Sequence, residues 1–110
     1  IANLYLAGLS DLPLKLPRLD STLDSVFHLF VVQSNDRDSL IKHLKKHSIQ
    51  AGIHYPFPIH LQTAYKGRVK IAKDMSCSEN LVQKIISLPI YPQLENDKVE
   101  KIIKTLVNFY

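Results

Sequence analysis

Residues 52 to 65 read Gly-Ile-His-Tyr-Pro-Phe-Pro-Ile-His-Leu-Gln-Thr-Ala-Tyr, a crowd of polar and aromatic side chains stiffened by two prolines. Proline fixes its own φ at about −65° and steers the preceding residue toward extended geometry. Tyr55 and Phe57 are therefore expected to be extended, in a rigid loop. The apolar segment before it, Ile49 to His54, reads as a short strand. A rigid loop at a strand end is a place where a fold displays polar groups to a ligand. Here it would display His54, Tyr55, His60, Gln62 and Tyr65. A well-ordered turn whose histidines and tyrosines satisfy nearby backbone groups is the plainer reading, and spacing alone leaves both open.

The segments on either side are patterned for an α+β core. Residues 1 to 9 carry apolar side chains at 1, 4, 5 and 9, as in the tail of a helix. Gly8, Pro13 and Pro17 then make 10–24 a connector, with one extended piece around Leu14, Lys15 and Leu16. Val26 to Val32 is β-branched and aromatic, and reads as a strand buried on both faces, with His28 a core histidine. Ser34, Asn35 and Asp36 offer capping oxygens to a helix that runs to about His47, with Leu40, Ile41 and Leu44 on its inner face.

Beyond the loop, residues 61–65 suggest one helical turn and 66–75 a basic, irregular connection. Ser76 and Glu79 have the spacing of a capping box, and the helix they would start buries Leu81, Val82, Ile85 and Ile86. Pro89 and Pro92 require Ser87 to Pro92 to be extended, as an edge strand or connector. Asn96 reads as the cap of a last helix over 97–109, with Val99, Ile102, Ile103, Leu106, Val107 and Tyr110 at helical spacing. The expected fold is a small, mostly antiparallel sheet with helices packed on one face.

Composition narrows the function classes. At 110 residues and 45% hydrophobic, the chain is one domain's worth of globular protein. It has no apolar run of about 18 residues, so no membrane-spanning helix is expected. The start has neither an initiator Met nor a basic leader, which suggests a piece of a longer chain. One cysteine, Cys77, excludes an internal disulfide and fits a reducing, cytoplasmic setting. A net charge of +4 hints at an anionic partner.

Other groupings read as structural. His43 and His47 are four apart among Lys42, Lys45 and Lys46, with no third ligand, so no metal site is expected. Lys66, Arg68, Lys70 and Lys73 lack interleaved aromatics, which argues against nucleic acid. Cys77 has no base partner in the sequence, and three glycines make no phosphate-binding loop.

Three blocks in order carry a resemblance: residues 26–32, residues 52–65, and Ser87-Leu88-Pro89-Ile90-Tyr91-Pro92. Together they resemble the C-terminal small domain of the DegT/DnrJ/StrS-type nucleotide-sugar aminotransferases, in the fold-type-I aminotransferase superfamily. The resemblance covers nearly the whole chain. It implies that 1–9 is the end of an interdomain helix and 10–110 the small domain. It also implies pyridoxal 5′-phosphate (PLP) as cofactor, an amino group moved from glutamate to a nucleotide-linked keto sugar in polysaccharide or deoxysugar synthesis, and a homodimeric parent.

The resemblance further implies that the lysine, the aspartate and most phosphate contacts that hold PLP belong to a large domain outside this chain. None of the eleven lysines lies in the family's lysine motif, so no catalytic residue is expected here and the chain alone should be inert. His54 and Tyr55 match the block's His and aromatic, which implies substrate contact for both. His60 and Gln62 are then expected to hold the loop. Phe27 stands where the family often has Tyr, Thr63 where Pro is frequent, and 66–76 is more basic than usual. The alternative class is a free-standing, basic, ferredoxin-like module for an anionic ligand. That reading needs four good strands and leaves the loop's composition unexplained.

Overall fold

In the computed structural model, residues 1–18 and 25–110 are described. The end of the expected connector, 19–24, lies outside them. The elements run α1 (Ala2–Gly8), β1 (Phe30–Gln33), α2 (Arg37–Lys46), a 3₁₀ turn (Ile59–Leu61), α3 (Ser76–Leu81), β2 (Ile85–Leu88) and α4 (Asn96–Val107). β1 and β2 pair antiparallel, with Phe30 opposite Leu88 and Val32 opposite Ile86. One antiparallel bridge flanks each edge, Lys15 to Gln33 on one side and Gly52 to Ser87 on the other. The small antiparallel sheet with packed helices is the expected fold class.

Alternation along the strands assigns the two faces. Phe30, Val32, Ile86 and Leu88 are buried and belong to the core formed with Tyr5 and Leu9 of the first turns, Leu40 and Leu44 of α2, and Val99, Ile102 and Leu106 of α4. Val31 and Ser87, paired with each other, belong to the opposite face. Gly8 lets α1 lie close to α4, since a Cβ there would stand 2.8 Å from two carbons of Ile103.

Several local expectations are overturned. Residues 26–29 are not strand: Phe27 takes a left-handed φ of 45°, which breaks extension before Phe30. Val26 is consequently 93% exposed, and His28 is an exposed residue rather than a core one. The helix after residue 76 ends at Leu81, and Ile85 and Ile86 join β2 instead. Their spacing suited a helix, but pairing with Gln33 and Val32 recruits these β-branched residues to the sheet. Ile49 to His54 contributes only the single bridge at Gly52. The helical turn expected at 61–65 is present, with the Lys66 N–H donating to the Gln62 carbonyl at 2.9 Å, and a 3₁₀ turn at Ile59–Leu61 precedes it.

Caps differ as well. Ser76 is the first residue of α3 rather than its cap, and its N–H donates to Asp74 Oδ1 at 2.8 Å. That bond holds the Asp74 carboxyl below its ordinary range. Glu79 accepts from a histidine instead of reaching back to Ser76. At α2 it is the buried Ser34 that serves, its Oγ accepting the Asp36 N–H at 3.0 Å, while Asp36 makes no side-chain cap. Glu95, not Asn96, precedes the first turn of α4.

Tyr5 ties α1 to the residue after β2. Its ring lies 4.9 Å from that of Phe30, and its hydroxyl donates to the Pro89 carbonyl at 2.8 Å. Burial, and after it the neighbouring Tyr91, push the phenol's pKa well above the ordinary value. A raised phenol pKa adds stability that is whole below about pH 10 and is lost as pH rises above it, because the unfolded chain can ionise there first. Tyr110 is shifted the same way, chiefly by burial. Tyr5→Phe should cost about 1–2 kcal/mol at neutral pH through the orphaned carbonyl. It should also flatten the alkaline fall in melting temperature. A Tyr5→Phe chain with the same melting temperature and the same alkaline profile would remove this hydroxyl from the account.

Candidate functional site

The candidate site lies on the sheet face turned away from the helices. Ser87, 5% exposed, projects from β2 on that side. Its backbone exchanges both hydrogen bonds with Gly52, at 3.0 and 2.8 Å, which brings the start of the proline loop against the sheet edge. His54 then folds back so that its Nδ1 and the Ser87 hydroxyl share a hydrogen bond of 2.8 Å. Nε2 has no hydrogen-bond partner among the described residues. The His54 ring, Gly52, Ser87, Leu29, Pro89 and Tyr91 line an open cleft of about 390 Å³.

Tyr55 departs from the expected extended geometry. Its φ is 61°, in the left-handed region, immediately before Pro56. Left-handed backbone at a non-glycine residue costs on the order of 1–3 kcal/mol and persists only where the surroundings impose it. The imposed turn follows from the anchors on either side: Gly52 and His54 are fixed to Ser87, and the chain must leave the sheet edge between them and the 3₁₀ turn. The Tyr55 side chain, 79% exposed, lies outside the cleft lining. The structure thus brings His54 to the cleft and leaves Tyr55 at the surface.

His60 and Gln62 lie farther along the loop. The His60 side chain is 7% exposed, and its Nε2 meets Glu79 Oε1 of α3 at 2.9 Å. The Gln62 amide donates to the Phe57 carbonyl at 3.3 Å. These bonds fasten the middle of the loop to α3 and to itself. Phe57, Ile59, Leu61 and Tyr65 remain exposed around them. Loops of monomers seldom leave so many large apolar groups together in water.

The remaining groupings are accounted for within the fold. His43 Nε2 meets the Thr105 carbonyl at 3.1 Å, and His47 Nδ1 meets the His43 carbonyl at 2.9 Å. Among the described residues no three His, Cys, Asp or Glu side chains gather as metal ligands would. Cys77 is exposed. Among the described residues no helix is long and apolar enough to cross a membrane. All eleven lysines lie at the surface. An amine that condenses with PLP needs a desolvated pocket that lowers its pKa, and none of these exposed lysines has one within this chain.

Sequence reasoning missed Ser87 and Gly52 as parts of the site. The signal is weak, a glycine and a serine that each open one of the three blocks. Only the pairing of the two segments shows that they meet His54.

Residues 1–107 match the DegT/DnrJ/EryC1/StrS aminotransferase family. The dTDP-3-amino-3,4,6-trideoxy-alpha-D-glucose transaminase of Streptomyces venezuelae is 38% identical over 104 residues, which is 94% of this chain and 27% of that protein. The crystal structure of S. venezuelae DesV in complex with a ketimine intermediate is similar at a TM-score of 0.91 and 36% identity, over 98% of this chain and 29% of that one. The sugar aminotransferase Spr1654 of Streptococcus pneumoniae in its PLP form is similar at a TM-score of 0.79 and 26% identity, over 94% of this chain and 28% of that one. The chain thus spans less than a third of each of these proteins.

Proposed function

This chain belongs to the DegT/DnrJ/EryC1/StrS aminotransferase family, a family of PLP enzymes, and we propose that it is the C-terminal small domain, 10–110 with the end of an interdomain helix at 1–9, of an enzyme that aminates a nucleotide-linked keto sugar. The amino donor is glutamate, which leaves as 2-oxoglutarate while the sugar carbonyl becomes an amine. The S. venezuelae relative is named for a sugar aminated at carbon 3, and carbon 3 is the position proposed here. The observation that carries the reading is the likeness, at 36% identity over 98% of this chain, to an enzyme held at a ketimine stage.

Within that enzyme the cofactor supplies the electron sink for amino transfer. The residues of this chain act on the sugar instead. His54 offers Nε2 from a ring already held by Ser87, and an imidazole nitrogen can bond a sugar hydroxyl or a phosphate oxygen in either protonation state. Tyr55 follows it on a turned backbone outside the cleft, and would meet only the part of the ligand that extends beyond it. His60 and Gln62 keep the loop in place through Glu79 and Phe57. The exposed apolar groups of the loop suit a surface covered by the large domain or by a second subunit of a cytoplasmic homodimer.

The complete enzyme should convert glutamate and a nucleotide-linked 3-keto sugar to 2-oxoglutarate and the amino sugar in equal amounts. The excised chain, mixed with PLP and borohydride, should give no stoichiometric adduct on any single lysine. An enzyme that exchanged amino groups only among amino and keto acids, leaving keto sugars untouched, would sink the reading.

A further inference from the structure

Ser87 is a buried hydroxyl on the sheet face that the helices do not cover, and its one side-chain partner among the described residues is His54. Burying a hydroxyl needs a hydrogen bond to offset its lost hydration. Here that bond is spent on Nδ1 of an imidazole whose residue is otherwise exposed. The backbone around it is fixed too, since both main-chain groups of Ser87 bond Gly52, two residues before His54. Gly52 lies close under the ring: a Cβ there would stand 3.2 Å from His54 Cε1 and 3.6 Å from Nδ1. A contact of 3.2 Å requires the neighbour to give by a few tenths of an ångström, so a side chain at 52 would crowd the ring against the Ser87 bond.

We propose that Ser87 and Gly52 form a cradle that positions the His54 ring, with Nδ1 gripped and Nε2 presented to an oxygen of the nucleotide-sugar substrate. Ser87 is a positioning residue: it acts through the imidazole. The inference rests on the reading of His54 as a substrate contact. Fixing the ring before the ligand arrives removes the rotamer entropy that binding would otherwise cost. It also reserves Nδ1, so that a single nitrogen is left for the ligand. Glu79, the carboxylate partner of the loop's other histidine, is engaged by His60. Ser87 is thus the group within reach that sets which way His54 faces.

The test uses the complete enzyme and measures KM for the nucleotide sugar, KM for glutamate, kcat and melting temperature. Ser87→Ala should raise the sugar KM by roughly three- to tenfold, the range of one lost hydrogen bond. The glutamate KM, kcat and melting temperature should stay near those of the unaltered enzyme. Ser87→Cys keeps the volume with a poor hydrogen-bonding group and should behave as the alanine variant does, which guards against a packing artefact. Ser87→Thr keeps the hydroxyl and should restore the sugar KM. The double variant His54→Ala, Ser87→Ala should be no worse than His54→Ala alone, because the grip has no function without the ring. Losses that add would overturn the proposal, since Ser87 would then act by itself. A costly His54→Ala with a silent Ser87→Ala would overturn the cradle and leave the role of His54 standing. If both single variants kept the sugar KM, the cradle and the reading of His54 would fall together.

Discussion

His54→Ala in the complete enzyme is expected to lower kcat/KM for the nucleotide sugar at least tenfold, a loss of about 1.4 kcal/mol of transition-state binding. Stability should change little. The ring is exposed, and its one bond is to Ser87 at the wall of an open cleft, where water can replace the lost imidazole. The cost to folding should therefore stay near the low end of the 1–3 kcal/mol that an orphaned buried hydroxyl can cost. The cofactor spectrum should be unaltered, since on the proposed reading the large domain outside this chain holds the cofactor. Ser39→Ala, exposed on α2, is the control and should change neither activity nor stability. If activity and melting temperature fell in parallel, the loop would be a structural element whose histidine serves the fold.

The second large effect is on stability. Phe30 is fully buried, with its ring 4.9 Å from Tyr5 and 6.0 Å from Phe27, and it pairs with Leu88 across the sheet. Phe30→Ala should cost about 3–5 kcal/mol, the usual range for emptying an aromatic site in a core. Domains of this size are stable by about 5–15 kcal/mol, so the variant should be near the edge of folding. Urea denaturation of the chain would show it as a large drop in midpoint. Val26→Ala, four residues before β1 and 93% exposed, should stay within about 0.5 kcal/mol of the unaltered chain. Equal costs at both positions would mean that the strand begins where the sequence pattern, and not the structure, starts it.

The two positions mark where patterns in the chain are informative. Helices α2 and α4 are legible because their apolar residues recur at a period set by the helix itself, and nothing else competes for them. Ile85 and Ile86 read as helix because the same period continues past Leu81, where the backbone turns and the two isoleucines meet β1. Val26 to Leu29 failed for the converse reason. A β-branched, aromatic run is a preference for a pleated, half-buried surface, and with Phe27 in the left-handed region these residues have no partner strand among those described.

By itself the sequence determined the family, the small antiparallel α+β architecture, the two long amphipathic helices and the loop that deserves mutation. These rest on local periodicity, on proline's geometry and on the order of three blocks, all readable along one dimension. The tertiary structure alone decided which loop residue faces the cleft, how Tyr55 turns, and that Ser87 and Gly52 hold the His54 ring. Residues 33 positions apart meet there only because a sheet edge pairs them. No spacing in the chain encodes that pairing, since its free energy comes from burying strands and helices together rather than from any local run.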